Sequence, residues 1–213
     1  MKHRFTYGIV EKREEYSIVL KKKKPFLLGS DIVPKVTQRI HGVCLVAAGF
    51  SFKGKLMLRK IKRSAKINSE YYQQNILTPI FRHDIPSLYG NECGKVVFHH
   101  DKATSHVSRS TVNFFDNLSR ETGINTIPVD RIPVKSPDLA PMDFCVFGCL
   151  KMALGKRHPT SLDGLWKVVR YEWNKLDMTV LRRSLLSWKI RCRAVAKRGG
   201  HQIEHLKSCN YGL

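Results

Sequence analysis

A strand-helix-strand run in the middle of the chain limits the fold more than any other feature. Lys95-Val96-Val97-Phe98-His99-His100 reads as a short strand that stops at Asp101. A helix follows from about Ser108, with Val112, Phe115 and Leu118 at helical spacing, and Ile124 to Val129 reads as a second strand. Strands joined through a helical crossover pair in parallel. Upstream, the apolar run Val43 to Phe50, the turn Ser51-Phe52-Lys53-Gly54 and the alternating segment Lys55 to Ile61 predict a hairpin, which is antiparallel. The order therefore predicts one mixed sheet with helices around it, an α/β class.

The remaining elements are read more coarsely. Asn68-Ser69 caps a helix whose Tyr72, Ile76 and Ile80 recur every four residues, and Pro79 is expected to kink or end it. A loop is expected from Ile85 to Gly94. Three helical patterns close the chain: Pro141 to Leu154, Leu162 to Leu176, and Val180 to Lys197. Near the start, Phe5 to Val10 and Tyr16 to Leu20 are candidate strands separated by the charged stretch Glu11 to Glu15. The run Lys21-Lys22-Lys23-Lys24-Pro25 then breaks regular structure and serves either as a solvated loop or as a DNA-facing one.

Charge narrows the function classes. Among 213 residues, 38 Lys and Arg against 17 Asp and Glu leave a formal net charge of +21, which attracts polyanions by releasing their condensed counterions. Nucleic acid is the first expected partner. The longest apolar run, Val43 to Phe50, is far short of the roughly 20 residues that span a bilayer, so no membrane partner is expected. The first residues lack the apolar stretch of a secretory signal, so the six cysteines are expected as thiols. Cys145 and Cys149, one helical turn apart, suggest one buried face rather than a zinc pair.

Two acids stand where chemistry is plausible for carboxylates. Asp101 ends a predicted central strand, where open α/β sheets bind ligands, though such an Asp also serves turns and caps. Pro141 suits the first position of a helix, which puts Asp143 in the first turn; there it either complements the helix dipole or ligates a hard cation. Asp138 is its rival. His201 and His205, four apart, share a helical face but lack an evident third ligand. Trp166, Trp173 and Trp188 lie in helical patterns and are expected in the core.

Phe98-His99-His100-Asp101-Lys102-Ala103-Thr104-Ser105-His106 resembles the second-aspartate motif of mariner-type transposases, H-D-N-A-x-x-H. Ser136-Pro137-Asp138-Leu139-Ala140-Pro141-Met142-Asp143-Phe144 is similar to the family's S-P-D-L-A-P-x-D-[YF] block, and the 41 residues between Asp101 and Asp143 match a long-spaced branch. Val46 to Phe50 and Lys66 to Tyr72 also resemble the family's hairpin and first helix. The resemblance runs from about Val43 to about Trp188. It implies a ribonuclease-H-like sheet with flanking helices and a DNA nuclease and strand-transfer chemistry. Two Mg²⁺ or Mn²⁺ ions would be held with Asp101 bridging and Asp143 terminal. It further implies action on DNA in the nucleus and admits a homodimer. Asp138 then positions the third-acid helix.

The resemblance is incomplete at the first acid. Phe5 to Leu20 holds Glu11, Glu14 and Glu15 but no Asp, and Asp31, in a loop-like context, is the only Asp before the helical region. The family's paired helix-turn-helix domain is also expected to be absent. Residues 1–42 are thus expected to be a degenerate or truncated N-terminal part, 43–200 the catalytic domain and 201–213 a tail, with activity impaired. A non-catalytic basic nucleic-acid-binding module is the alternative. Expected phosphate contacts are Lys53, Lys55, Lys60, Lys62 and Arg63 on the hairpin and Arg182, Arg183, Arg191 and Arg193 on the last helix.

Overall fold

Alternation along the central strands builds two cores. A computed structural model describes residues 16–22 (course of the backbone), 45–62, 65–132 and 137–203. Its five strands are β1 (Tyr16–Lys22), β2 (Leu45–Phe50), β3 (Arg59–Ile61), β4 (Val96–His100) and β5 (Asn125–Thr126), in the order β3-β2-β1-β4-β5. Pairings β3–β2 and β2–β1 are antiparallel, while β1–β4 and β4–β5 are parallel. The mixed sheet predicted from the hairpin and the crossover is therefore present.

Successive residues of a strand face opposite sides. Ala47, Val96 and Phe98 join a core with Tyr72, Ile76, Ile80, Phe81, Phe115 and Leu118 on one face. Ala48 and Phe50 pack on the other face against Met142, Val146, Phe147, Leu150, Trp173 and Leu181. Helices α1 (Ser69–Tyr72), α2 (Ile85–Tyr89) and α4 (Arg109–Thr122), with the short α3 (Thr104–Val107) beside them, belong to the first layer. The second layer holds α5 (Phe147–Arg157), α6 (Leu162–Lys175) and α7 (Met178–Lys197).

Pro79 does not end its helix. Residues 69–89 are helical throughout, because wide turns at Gln73–Leu77 and Ile80–Asp84 flank the proline. The Thr78 N–H donates to Gln73 O and the Ile85 N–H to Ile80 O, a five-residue spacing that accommodates the missing proline donor. The expected loop from Ile85 to Gly94 is likewise helical, as α2 followed by a 3₁₀ segment at Gly90–Lys95. Asn68 caps α1 through its side chain, as its residue type predicts. The expected strand Ile124 to Val129 shrinks to Asn125–Thr126, since Pro128 cannot donate to a ladder.

Candidate active site

Asp101 stands one residue past the end of β4, where a tight turn folds the chain back on it. Its carboxylate is mostly buried, with 19% of the side chain exposed. The Ala103 N–H donates to Asp101 Oδ1 at 3.4 Å, closing an Asx-type turn into α3. His106 Nδ1 approaches the same oxygen at 2.6 Å. An ionised carboxylate only accepts, so that nitrogen carries the proton. The His106 ring is 1% exposed and stacks on Tyr72 with centroids 3.8 Å apart. Sequence reasoning left His106 without a role; the signal was its place at the end of the H-D-x-A-x-x-H string.

The ring cluster around this carboxylate is buried. His100 lies 5.5 Å from His106 and 4.9 Å from Phe115, ring to ring. Burial first, then the neighbouring His106 and His99, holds its pKa well below the ordinary histidine value. Burial first, then the nearby Asp101 charge, pushes the Tyr72 hydroxyl well above the ordinary tyrosine value. Neither the Tyr72 hydroxyl nor His106 Nε2 makes a hydrogen bond among the described residues.

Asp143 reaches the sheet from the other layer. It lies in the wide turn Met142–Val146, which follows Pro141 and packs against β1. Its N–H donates to Ala140 O at 2.7 Å. Trp188 of α7 ties this block to the second-acid strand. Its ring centroid is 5.7 Å from that of His99, and its Nε1–H donates to Leu139 O at 2.8 Å. The tryptophan expected in the core thus forms the seam between the two acid-bearing segments.

Asp138 proves to be structural. It is 2% exposed, its Oδ2 accepts from the Ile203 N–H at 2.6 Å, and its carbonyl accepts from Arg191 Nε at 2.6 Å. A carboxylate held this way fixes the turn before Asp143.

The described part of β1 brings no acid beside Asp101. Leu20 is the register partner of His100, so Lys21 follows Leu20 as Asp101 follows His100. Lys21 is also the partner of Ala48, a position on the face that carries Met142 and Val146. No residue of Tyr16–Lys22 is an acid. A two-ion clamp needs several hard oxygen donors converging. Among the described residues no three His, Cys, Asp or Glu side chains converge to hold an ion. The donor set they offer therefore does not fit a two-ion site. Asp31, Glu11, Glu14, Glu15 and the candidate strand Phe5 to Val10 lie outside the described residues, as do Arg63 and His205. His201 is exposed.

Several of the expected phosphate contacts have internal work. Lys53 pairs with Glu92 and covers the Tyr89 ring at 4.8 Å. Lys55 Nζ donates to the carbonyls of Trp173, Asn174 and Leu176 at 2.7–2.9 Å, closing the end of α6. Lys60 meets Asp163 at 3.1 Å. Arg182 donates to Phe52 O at 2.9 Å, and Arg191 lies 3.9 Å over the Phe144 ring. Lys62, Arg183 and Arg193 are exposed.

No protein-family model matches the chain, and no curated protein matches it. Solved structures do. The catalytic domain of Mos1 mariner transposase superposes with a TM-score of 0.66 at 19% identity, covering 87% of this chain and 84% of that one. The fold is that of a mariner transposase catalytic domain. The same Mos1 domain with Raltegravir and Mn gives a TM-score of 0.67 at 18% identity over 87% of this chain and 84% of that one. In a pre-cleavage Mos1 transpososome the match has a TM-score of 0.66 at 18% identity and covers 88% of this chain but 57% of the Mos1 chain. The chain thus spans little more than half the length of that transposase. No helix among the described residues is long and apolar enough to cross a membrane.

Proposed function

We propose that this chain is a transposase-derived DNA-binding domain in which strand cleavage and strand transfer are impaired. The observation that carries the reading is β1. It occupies the centre of the sheet beside β4, and the residue level with Asp101 is Lys21 rather than an acid. Asp101 follows β4 and Asp143 lies in a turn packed on β1, the strand beside β4, and Mos1, whose fold is shared, has been seen with Mn and with Mg. A divalent cation belongs to this reading as the ancestral requirement. What the chain's own residues still do is hold the Asp101 carboxylate through His106 and the Asp143 turn through Asp138 and Trp188.

DNA is the partner under this reading and the nucleus its place of action. Mos1 forms a paired-end complex with the left transposon end, and a homodimer is the assembly such pairing would call for here. A wholly non-catalytic module is the second reading. The sequence of β1 favours it, because Tyr16–Lys22 holds no acid and ends in two lysines. The test is fluorescence anisotropy of a labelled duplex over a range of salt, with and without EDTA. Binding that weakens steeply with salt and ignores EDTA is expected. Binding that requires a divalent ion contradicts the proposal.

A further inference from the structure

The outer side of α5 and α6 presents a second basic site, remote from Asp101 and Asp143. Leu154 packs on Leu165 and Val169 to hold the two helices together. Beside this seam opens a groove of about 470 Å³, lined by Arg157, Lys167, Val168, Arg170, Tyr171 and Asn174. The lining holds three cations and no carboxylate. Arg157 is already set in place. Its Nε lies 2.7 Å from Glu172 Oε1, and its guanidinium sits 4.6 Å from the Tyr171 ring centroid. Glu172 itself is turned inward, with 15% of its side chain exposed, so it spends its charge on Arg157 rather than on the groove. Lys167 and Arg170 are exposed and have no ion pair among the described residues.

A fixed guanidinium with further N–H donors, flanked by two uncompensated cations and a polar amide, matches the oxygens of a phosphodiester backbone. The groove lies one helical run away from the third-acid block. From Asp143 to Arg157 the chain stays helical, about 20 Å at 1.5 Å per residue. That exceeds the screening length of about 8 Å at physiological salt, so charge here acts independently of the acid-bearing end. We propose that this groove is a separate docking site for the backbone of duplex DNA. The inference rests on the DNA-binding reading above and adds a place to it.

The experiment uses the full chain and a labelled duplex, with affinity measured by anisotropy across salt concentrations. Lys167→Gln/Arg170→Gln is compared with wild type and with Arg109→Gln/Arg120→Gln, a matched charge loss on α4 in the opposite layer. Both groove side chains are exposed, so unchanged thermal melting should confirm an intact fold. Two phosphate contacts removed should lower the slope of log affinity against log salt by about two, with the α4 pair changing it less. A groove variant that keeps the wild-type affinity and slope, or an α4 variant that loses as much, overturns the site while leaving the DNA-binding reading standing. Phosphatidylserine vesicles are a parallel arm. A groove substitution that weakens vesicle binding but not duplex binding overturns the DNA assignment. A wild-type chain that binds no duplex overturns both.

Discussion

At the residue scale, two aspartates five positions apart have opposite jobs. Asp138 is sealed against the Ile203 N–H, whereas Asp143 sits in a half-buried first turn. Asp138→Ala strands a buried donor and should cost about 2 kcal/mol. Asp143→Ala should cost less; paired urea denaturation curves check the order, and equal losses would remove the distinction. His100 predicts a pH effect. Its folded pKa is depressed, so the unfolded chain binds the proton more readily. Stability is therefore full above the ordinary value of 6.5 and falls as pH drops below it toward the folded pKa. Denaturation midpoints at two pH values should diverge for wild type and less so for His100→Phe, where the group that titrates is gone. The places of Asp101 at a strand end and Asp143 in a first helical turn were legible in the sequence because both patterns are local. The His106 contact was not, since it depends on the turn at Thr104–Val107 that folds residue 106 back onto residue 101.

Elements were legible where burial has a period. β2, β4, α4 and α6 were expected nearly where they lie, because their apolar residues alternate or recur with the helical repeat. The misses have physical causes. Of the two outcomes expected at Pro79, a kink or an end, the end does not occur, because wide turns absorb the lost N–H and the helix runs on through Tyr89. The hairpin lysines were read through their charge, yet Lys55 is recruited by a helix end 118–121 residues away in sequence, which no local pattern reveals. Burial lowers the Lys55 pKa, opposed by Asp177. Lys55→Met removes three donated bonds from the carbonyls that close α6 and should destabilise the fold by about 1–2 kcal/mol. Thermal melting checks it. A neutral effect would mean that water satisfies those carbonyls equally well.

For the whole molecule, a mixed sheet is covered on both faces, and Trp188 links the end of β4 to the turn before Asp143. The mixed sheet was legible from the crossover and the hairpin. Tyr16 to Leu20 was legible as a strand but its central place was not, because that place comes from pairing with both β2 and β4. Under the proposed function, β1 places a lysine level with Asp101, where an acid would complete a metal site, and strand cleavage is impaired. That claim is tested most directly by incubating supercoiled plasmid with the purified chain and Mn²⁺, beside Asp101→Asn. The account predicts that neither protein nicks the plasmid while both bind it in a salt-sensitive way. Nicking by wild type that disappears in Asp101→Asn would contradict it, because a working site would then have a third ligand.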